Sequence, residues 1–166
     1  MSRLDSAIRR LEAQRACLDR AAQAIAGRPG PICELGLGNG RTYDHLRSRL
    51  PDRDIYCFDR QVAAHPDSIP DSDHLFLGEF ADSLPRAIAQ LGGTVVLAHC
   101  DTGSGDRAAT ARQAAWLAPA LKPLLAAGAQ VISDQPLEDP AYRALALPEA
   151  VAPGRYYLYA FEGTGA

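Results

Sequence analysis

The run Pro31-Ile32-Cys33-Glu34-Leu35-Gly36-Leu37-Gly38-Asn39-Gly40 constrains this chain more than any other segment. Its apolar first half reads as a buried strand. Three alternate glycines then let the backbone take positive φ and bring its N–H groups close to a ligand. Arg41 to Leu50 reads as a helix that begins at once. Strand, glycine turn and helix in that order demand an open α/β sheet with its ligand at the strand ends.

The rest of the chain keeps the alternation. Ile32 to Leu37 is the first predicted strand, Asp54 to Asp59 the second and His74 to Glu79 the third, followed by a helix over Ala81 to Leu91. Thr94 to His99 is the most apolar run, which places it at the centre of the sheet. A long alanine-rich helix follows over Asp106 to Leu125, with a break implied by Pro119 and Pro123, and Gly128 ends it ahead of a fifth strand reaching Asp134. Ala144 to Leu147 and Tyr156 to Phe161 are two further extended pieces with no helix between them, so they must pair antiparallel or lie apart. The expected architecture is therefore α/β: a Rossmann-like, doubly wound, mostly parallel sheet with a C-terminal antiparallel hairpin, preceded by an N-terminal helix.

That helix spans Arg3 to Ala26, with Leu4, Ile8, Leu11, Leu18, Ala22 and Ile25 on one stripe that Arg15 interrupts. Such a stripe fits either packing on the sheet or pairing in a homo-oligomer. Residues 1–29 thus form the helix and its exit, and residues 30–166 the sheet, in one domain overall, since 166 residues leave no room for a separate substrate domain. A hydrophobic content of 47%, a charged content of 22% and no long apolar stretch argue for a cytoplasmic protein without a membrane span. A net charge of −3 and no basic run argue against a nucleic-acid partner. Cys17, Cys33, Cys57 and Cys100 have no paired spacing and read as reduced core thiols.

Ligand chemistry is then read from the residues that end each strand. They are Glu34 with the glycines, Asp59-Arg60, Gly78-Glu79-Phe80, His99-Cys100-Asp101 and Asp134-Gln135, so every strand offers a carboxylate to one rim. The glycine spacing is G-x-G-x-G rather than the dinucleotide G-x-G-x-x-G, and Arg41 stands at that motif's last position. Glu34 ahead of the turn disfavours a pyrophosphate and suits a cationic amine. Asp59, 19 residues beyond Gly40, is placed to accept the two hydroxyls of a ribose.

Glu34-x-Gly36-x-Gly38-x-Gly40, Asp59, Glu79 and Asp101, in this order, resemble the class I S-adenosylmethionine-dependent methyltransferases across roughly Gly30 to Phe161. Asn39 to Asp44 and Gly154 to Tyr159 look like a small bacterial methyltransferase family of undefined substrate. The resemblance implies S-adenosyl-L-methionine as cofactor, with its methionine part over Glu34, Gly36, Leu37, Gly38, Asn39 and Gly40, its ribose at Asp59 and its adenine framed by Glu79 and Phe80. Arg41, Thr42, Tyr43, Arg60, Gly78 and Asp101 complete the expected cofactor contacts.

His99, Asp101 and Asp134 are the candidate catalytic residues for a small-molecule acceptor. His99 either faces that acceptor as a base or turns into the sheet as a hydrogen-bonded core residue. No metal ligand is assigned. Asp101 with Asp134-Gln135 nevertheless falls where some metal-dependent O-methyltransferases hold a divalent cation, which leaves Mg²⁺ open. An NAD-linked oxidoreductase and a non-catalytic cofactor-binding member of the fold are the alternatives.

Overall fold

The computed structural model describes residues 2–163. Helix α1 (Arg3–Ala24) opens on a capping box in which the Ser2 hydroxyl accepts from Asp5 N–H and the Asp5 carboxylate accepts from Ser2 N–H. The alternation then runs β1 (Ile32–Leu35), α2 (Arg41–Arg49), β2 (Ile55–Asp59), β3 (Leu75–Leu77), α3 (Phe80–Leu91), β4 (Val95–Cys100), α4 (Arg107–Leu121), β5 (Leu125–Ser133), β6 (Tyr142–Ala144) and β7 (Tyr157–Phe161). The seven strands form one sheet in the order β3-β2-β1-β4-β5-β7-β6. β1 to β5 are parallel, and β7 runs antiparallel to both β5 and β6. The fold is the expected mostly parallel, Rossmann-like sheet with an N-terminal helix and an antiparallel end, and β4 lies at its centre.

Side chains alternate across each strand, so the sheet has two apolar faces. On one, Cys33, Leu35 and Phe58 meet Leu84, Ala87 and Leu91 of α3 and Leu117 and Leu121 of α4. On the other, Ile32, Cys57 and Leu97 meet Cys17, Leu18 and Ala21 of α1 and Leu46 of α2. All four cysteines are buried and free, and burial raises each thiol pKa, that of Cys17 to about 11. No helix among the described residues is long and apolar enough to cross a membrane.

Only part of the α1 stripe is inward. Leu18, Ala22 and Ile25 are buried, whereas Leu4, Ile8 and Leu11 are exposed, because the turns before Ala13 project past the edge of the apolar face. The inward face of the helix is Ala13, Gln14, Cys17, Leu18, Ala21 and Ala22, which shares Leu18 and Ala22 with the stripe read from the sequence.

Two boundaries move for backbone reasons. The α4 helix stops at Leu121 and passes through a 3₁₀ turn over Lys122–Leu124, where Pro123 has no N–H to continue it. Strand β5 therefore begins before Gly128, which sits inside it at φ +74° rather than ending the helix. There the register jumps from Val95↔Leu125 to Leu97↔Gln130, and Arg28 donates to the Ala127 carbonyl at 2.8 Å, holding the bulge. At the C-terminal end, the piece expected at Ala144–Leu147 pairs as Tyr142–Ala144, and β7 lies between β5 and β6.

Candidate functional site

The strand order reverses between β1 and β4, and the two chain segments leaving those strands lie against each other. Asp101 N–H donates to the Leu35 carbonyl at 3.1 Å, and a Cβ placed on Gly36, at φ +95°, would stand 2.3 Å from the Asp101 carbonyl oxygen. Only glycine fits there. A crevice opens above this point, where open α/β sheets take their ligands.

The crevice is lined by Gly36 and Gly38 after β1, Asp59 and Arg60 after β2, Gly78, Glu79 and Phe80 after β3, Asp101, Thr102 and Gly103 after β4, and Gln113 of α4. The Asp59 carboxylate accepts from Gly38 N–H at 2.9 Å and from Arg60 N–H at 2.7 Å, tying the glycine turn to the second strand. Glu79 is exposed, with the Arg60 guanidinium 3.9 Å from its carboxylate. Gly38 and Gly78 both have positive φ, and a Cβ on either would meet nothing within 4 Å, so both leave backbone open to the cleft. A nucleoside fits this set: a carboxylate for a diol, an aromatic ring, and glycine backbone free for close approach.

Other expected contacts are elsewhere. Tyr43 is buried under Arg47, whose guanidinium carbon is 5.3 Å from the ring centre. Leu37 turns its side chain into the core, while Asn39, Arg41 and Thr42 line a second recess continuous with the first through Gly36, Gly38, Asp101 and Gly103.

Glu34 does not open onto the crevice. It is fully buried, accepts a hydrogen bond from the Thr42 hydroxyl, and lies 2.8 Å from His99 Nδ1. Registry explains the pairing, because Glu34 and His99 face each other across β1 and β4 and so share the α1 face of the sheet. His99 is also fully buried, with Nε2 2.7 Å from the Tyr156 hydroxyl. Of the two orientations open in the sequence, His99 takes the core one. Burial pushes its pKa down, but the charge and hydrogen bond of Glu34, with Asp101 and Asp134 beyond, more than offset this, and the net direction is up.

The chain of bonds continues to the surface. Gln14 of α1 donates to the Tyr156 hydroxyl at 2.9 Å and to Asp101 at 2.8 Å, and Arg10 of α1 reaches the other Asp101 oxygen at 2.6 Å. Arg10 and Gln14 are the site residues that sequence reading missed, whereas Tyr156 falls in the Gly154–Tyr159 segment already singled out. Arg10 and Gln14 lie on the same helical face at i, i+4, but nothing in the sequence brings that face to the end of β4. We expect Tyr156→Phe, which removes the hydroxyl joining His99 to Gln14, to lower unfolding free energy by about 1–3 kcal/mol in urea titration.

Asp134, after β5, accepts from Thr102 N–H at 3.3 Å and from the Gln135 amide at 3.3 Å. Burial, then the negative charge of Asp101, raises its carboxyl pKa above the ordinary value. With Arg10, Gly103, Ser104, Arg107, Thr110 and Gln135 it lines a third, polar recess next to the first two. Asp101 and Asp134 gather no third ligand: no group of three or more His, Cys, Asp or Glu side chains that could hold a metal ion occurs among the described residues. Trp116 is exposed on α4 and lines none of these three recesses.

Comparison with known proteins agrees with this geometry. Residues 1–161 match the model of a family described as S-adenosyl-L-methionine methyltransferase. A crystal structure of an S-adenosyl-L-methionine methyl transferase from Silicibacter pomeroyi is 42% identical, with a TM-score of 0.92 over 98% of this chain and 99% of that one. More distant is the 16S rRNA (adenine(1408)-N(1))-methyltransferase of Catenulisporales acidiphilia, 14% identical with a TM-score of 0.51 over 90% of this chain and 92% of that one. An O-methyltransferase family protein from Burkholderia thailandensis is 14% identical, with a TM-score of 0.52 over 90% of this chain and 56% of that one. These last two share the fold alone. No curated protein matches the chain.

Proposed function

The chain belongs to this family of S-adenosyl-L-methionine methyltransferases, and on that premise we propose that it methylates a small-molecule acceptor, in the cytoplasm, at the polar recess beside Asp101. The observation that carries this reading is that the recess shares Gly103 with the crevice that suits the donor, and Arg10 and Gly103 with the second recess beside it. The methyl donor supplies a sulfonium-bound methyl group, which is transferred by in-line displacement. The protein's task is then to align the acceptor and remove its proton.

Gly36, Gly38, Asp59, Glu79 and Phe80 are the residues that would hold the adenosine part. In this reading Asp134 takes the acceptor's proton, which is supported by its position at the third recess and by a carboxyl pKa raised above that of an ordinary aspartate. His99 serves through Tyr156 and Gln14 by fixing Asp101, not by contact with the acceptor. A small acceptor is favoured because the net charge is −3, which gives no field to gather a nucleic acid.

The test is transfer of a labelled methyl group from the donor into a fractionated cell extract. Label in the low-molecular-weight fraction supports the reading. Label in RNA or protein, or none transferred by a protein that binds the donor, contradicts it.

A further inference from the structure

The amino-acid end of the methyl donor carries an ammonium and a carboxylate, and both need partners in the recess that continues from the glycine turn. Glu34, the acid ahead of that turn, is not available: it is sealed, with both oxygens engaged by Thr42 and His99. The acid that lines both the nucleoside crevice and the adjoining recess is Asp101. Its carboxylate is oriented by Gln14, itself 5% exposed and bonded to Tyr156, so it cannot swing away cheaply. Arg10 lines the same recess and is paired with Asp101 at 2.6 Å, yet its side chain is 48% exposed. An ion pair this accessible is held weakly and can exchange partners.

We infer that the Arg10–Asp101 pair is the receptor for the donor's zwitterionic end, which enters between them so that the ammonium pairs with Asp101 and the carboxylate with Arg10. One ion pair becomes two, the net charge of the recess is unchanged, and no charge is left buried without a partner. Arg10 presents a planar fork of donors suited to a carboxylate. Helix α1 thereby becomes part of the cofactor site, anchored beneath by Ala13, Cys17 and Leu18. The inference rests on the donor reading above.

Two ligands separate it from that reading: S-adenosylhomocysteine, which has the zwitterion, and 5′-methylthioadenosine, which has the nucleoside and sulfur without it. Arg10→Met keeps the aliphatic stem and removes the charge. By calorimetry this variant should bind S-adenosylhomocysteine about 10- to 100-fold more weakly than wild type, with methylthioadenosine affinity within twofold. Asp101→Asn, which keeps the side-chain shape, should show the same selective loss and decides the matter if Arg10→Met does not fold. Equal weakening of both ligands, or of neither, overturns the exchange while leaving the donor reading intact. Wild-type protein that is folded and takes up neither ligand overturns both.

Discussion

Replacing His99 by leucine should lower unfolding free energy by about 3–5 kcal/mol, because it strands Glu34 in the interior with only the Thr42 hydroxyl for company. Against a typical total of about 5–15 kcal/mol, that brings the variant close to unfolding. The loss belongs to the unpaired carboxylate more than to the missing imidazole. The double variant Glu34→Leu/His99→Leu should therefore recover most of it, since an apolar pair in a buried site is often as stable as the ion pair it replaces. Urea titrations of wild type, single and double variants measure this directly, and a double variant weaker than the single would contradict it.

The same pair sets a pH dependence. The folded pKa of His99 lies above its ordinary 6.5, so the folded state holds this proton more tightly than the unfolded chain. The stability that the pair contributes is whole below pH 6.5 and is lost as the pH rises through the folded value. The gap between wild type and His99→Leu should narrow over that interval.

The second large effect concerns the donor. Asp59→Ala should weaken S-adenosylhomocysteine binding by about 100-fold, as it removes a charged acceptor for the ribose hydroxyls and also releases the Gly38 N–H that it holds at 2.9 Å. Asp59→Asn keeps an oxygen to accept from Gly38 N–H but turns its NH2 towards the Arg60 N–H, so it should lose less than the alanine variant without matching wild type. An Asp59→Ala protein that is folded and binds the product as wild type does would remove Asp59 from the site.

How much of this was legible in the sequence depends on the distance over which each residue acts. The β-α alternation, the central β4 and the placement of Asp59, Glu79, Phe80 and Asp101 at one crevice followed from local patterns, since strand ends are bounded by short-range signals. The burial of Glu34 did not. It depends on which strand lies beside β1, and only the neighbouring β4 places His99 opposite it. Arg10 and Gln14 were equally silent, because their role depends on how far α1 extends past the sheet edge, a tertiary outcome with no local signature. Gly128 misled because a positive-φ glycine serves a helix end and a strand bulge alike, and Pro123 had already decided in favour of the bulge.

In the proposed mode of binding the donor lies across the glycine turn, with its nucleoside towards Asp59 and Phe80 and its reactive sulfur towards the Asp101–Asp134 side. A crystal structure of the protein with S-adenosylhomocysteine tests it most directly. Ribose hydroxyls should lie on the Asp59 carboxylate, adenine beside Phe80 and sulfur facing the recess of Asp134, with Glu34 still bonded to His99. A product molecule bound elsewhere, or one that draws Glu34 out of the core to reach its amine, would contradict it.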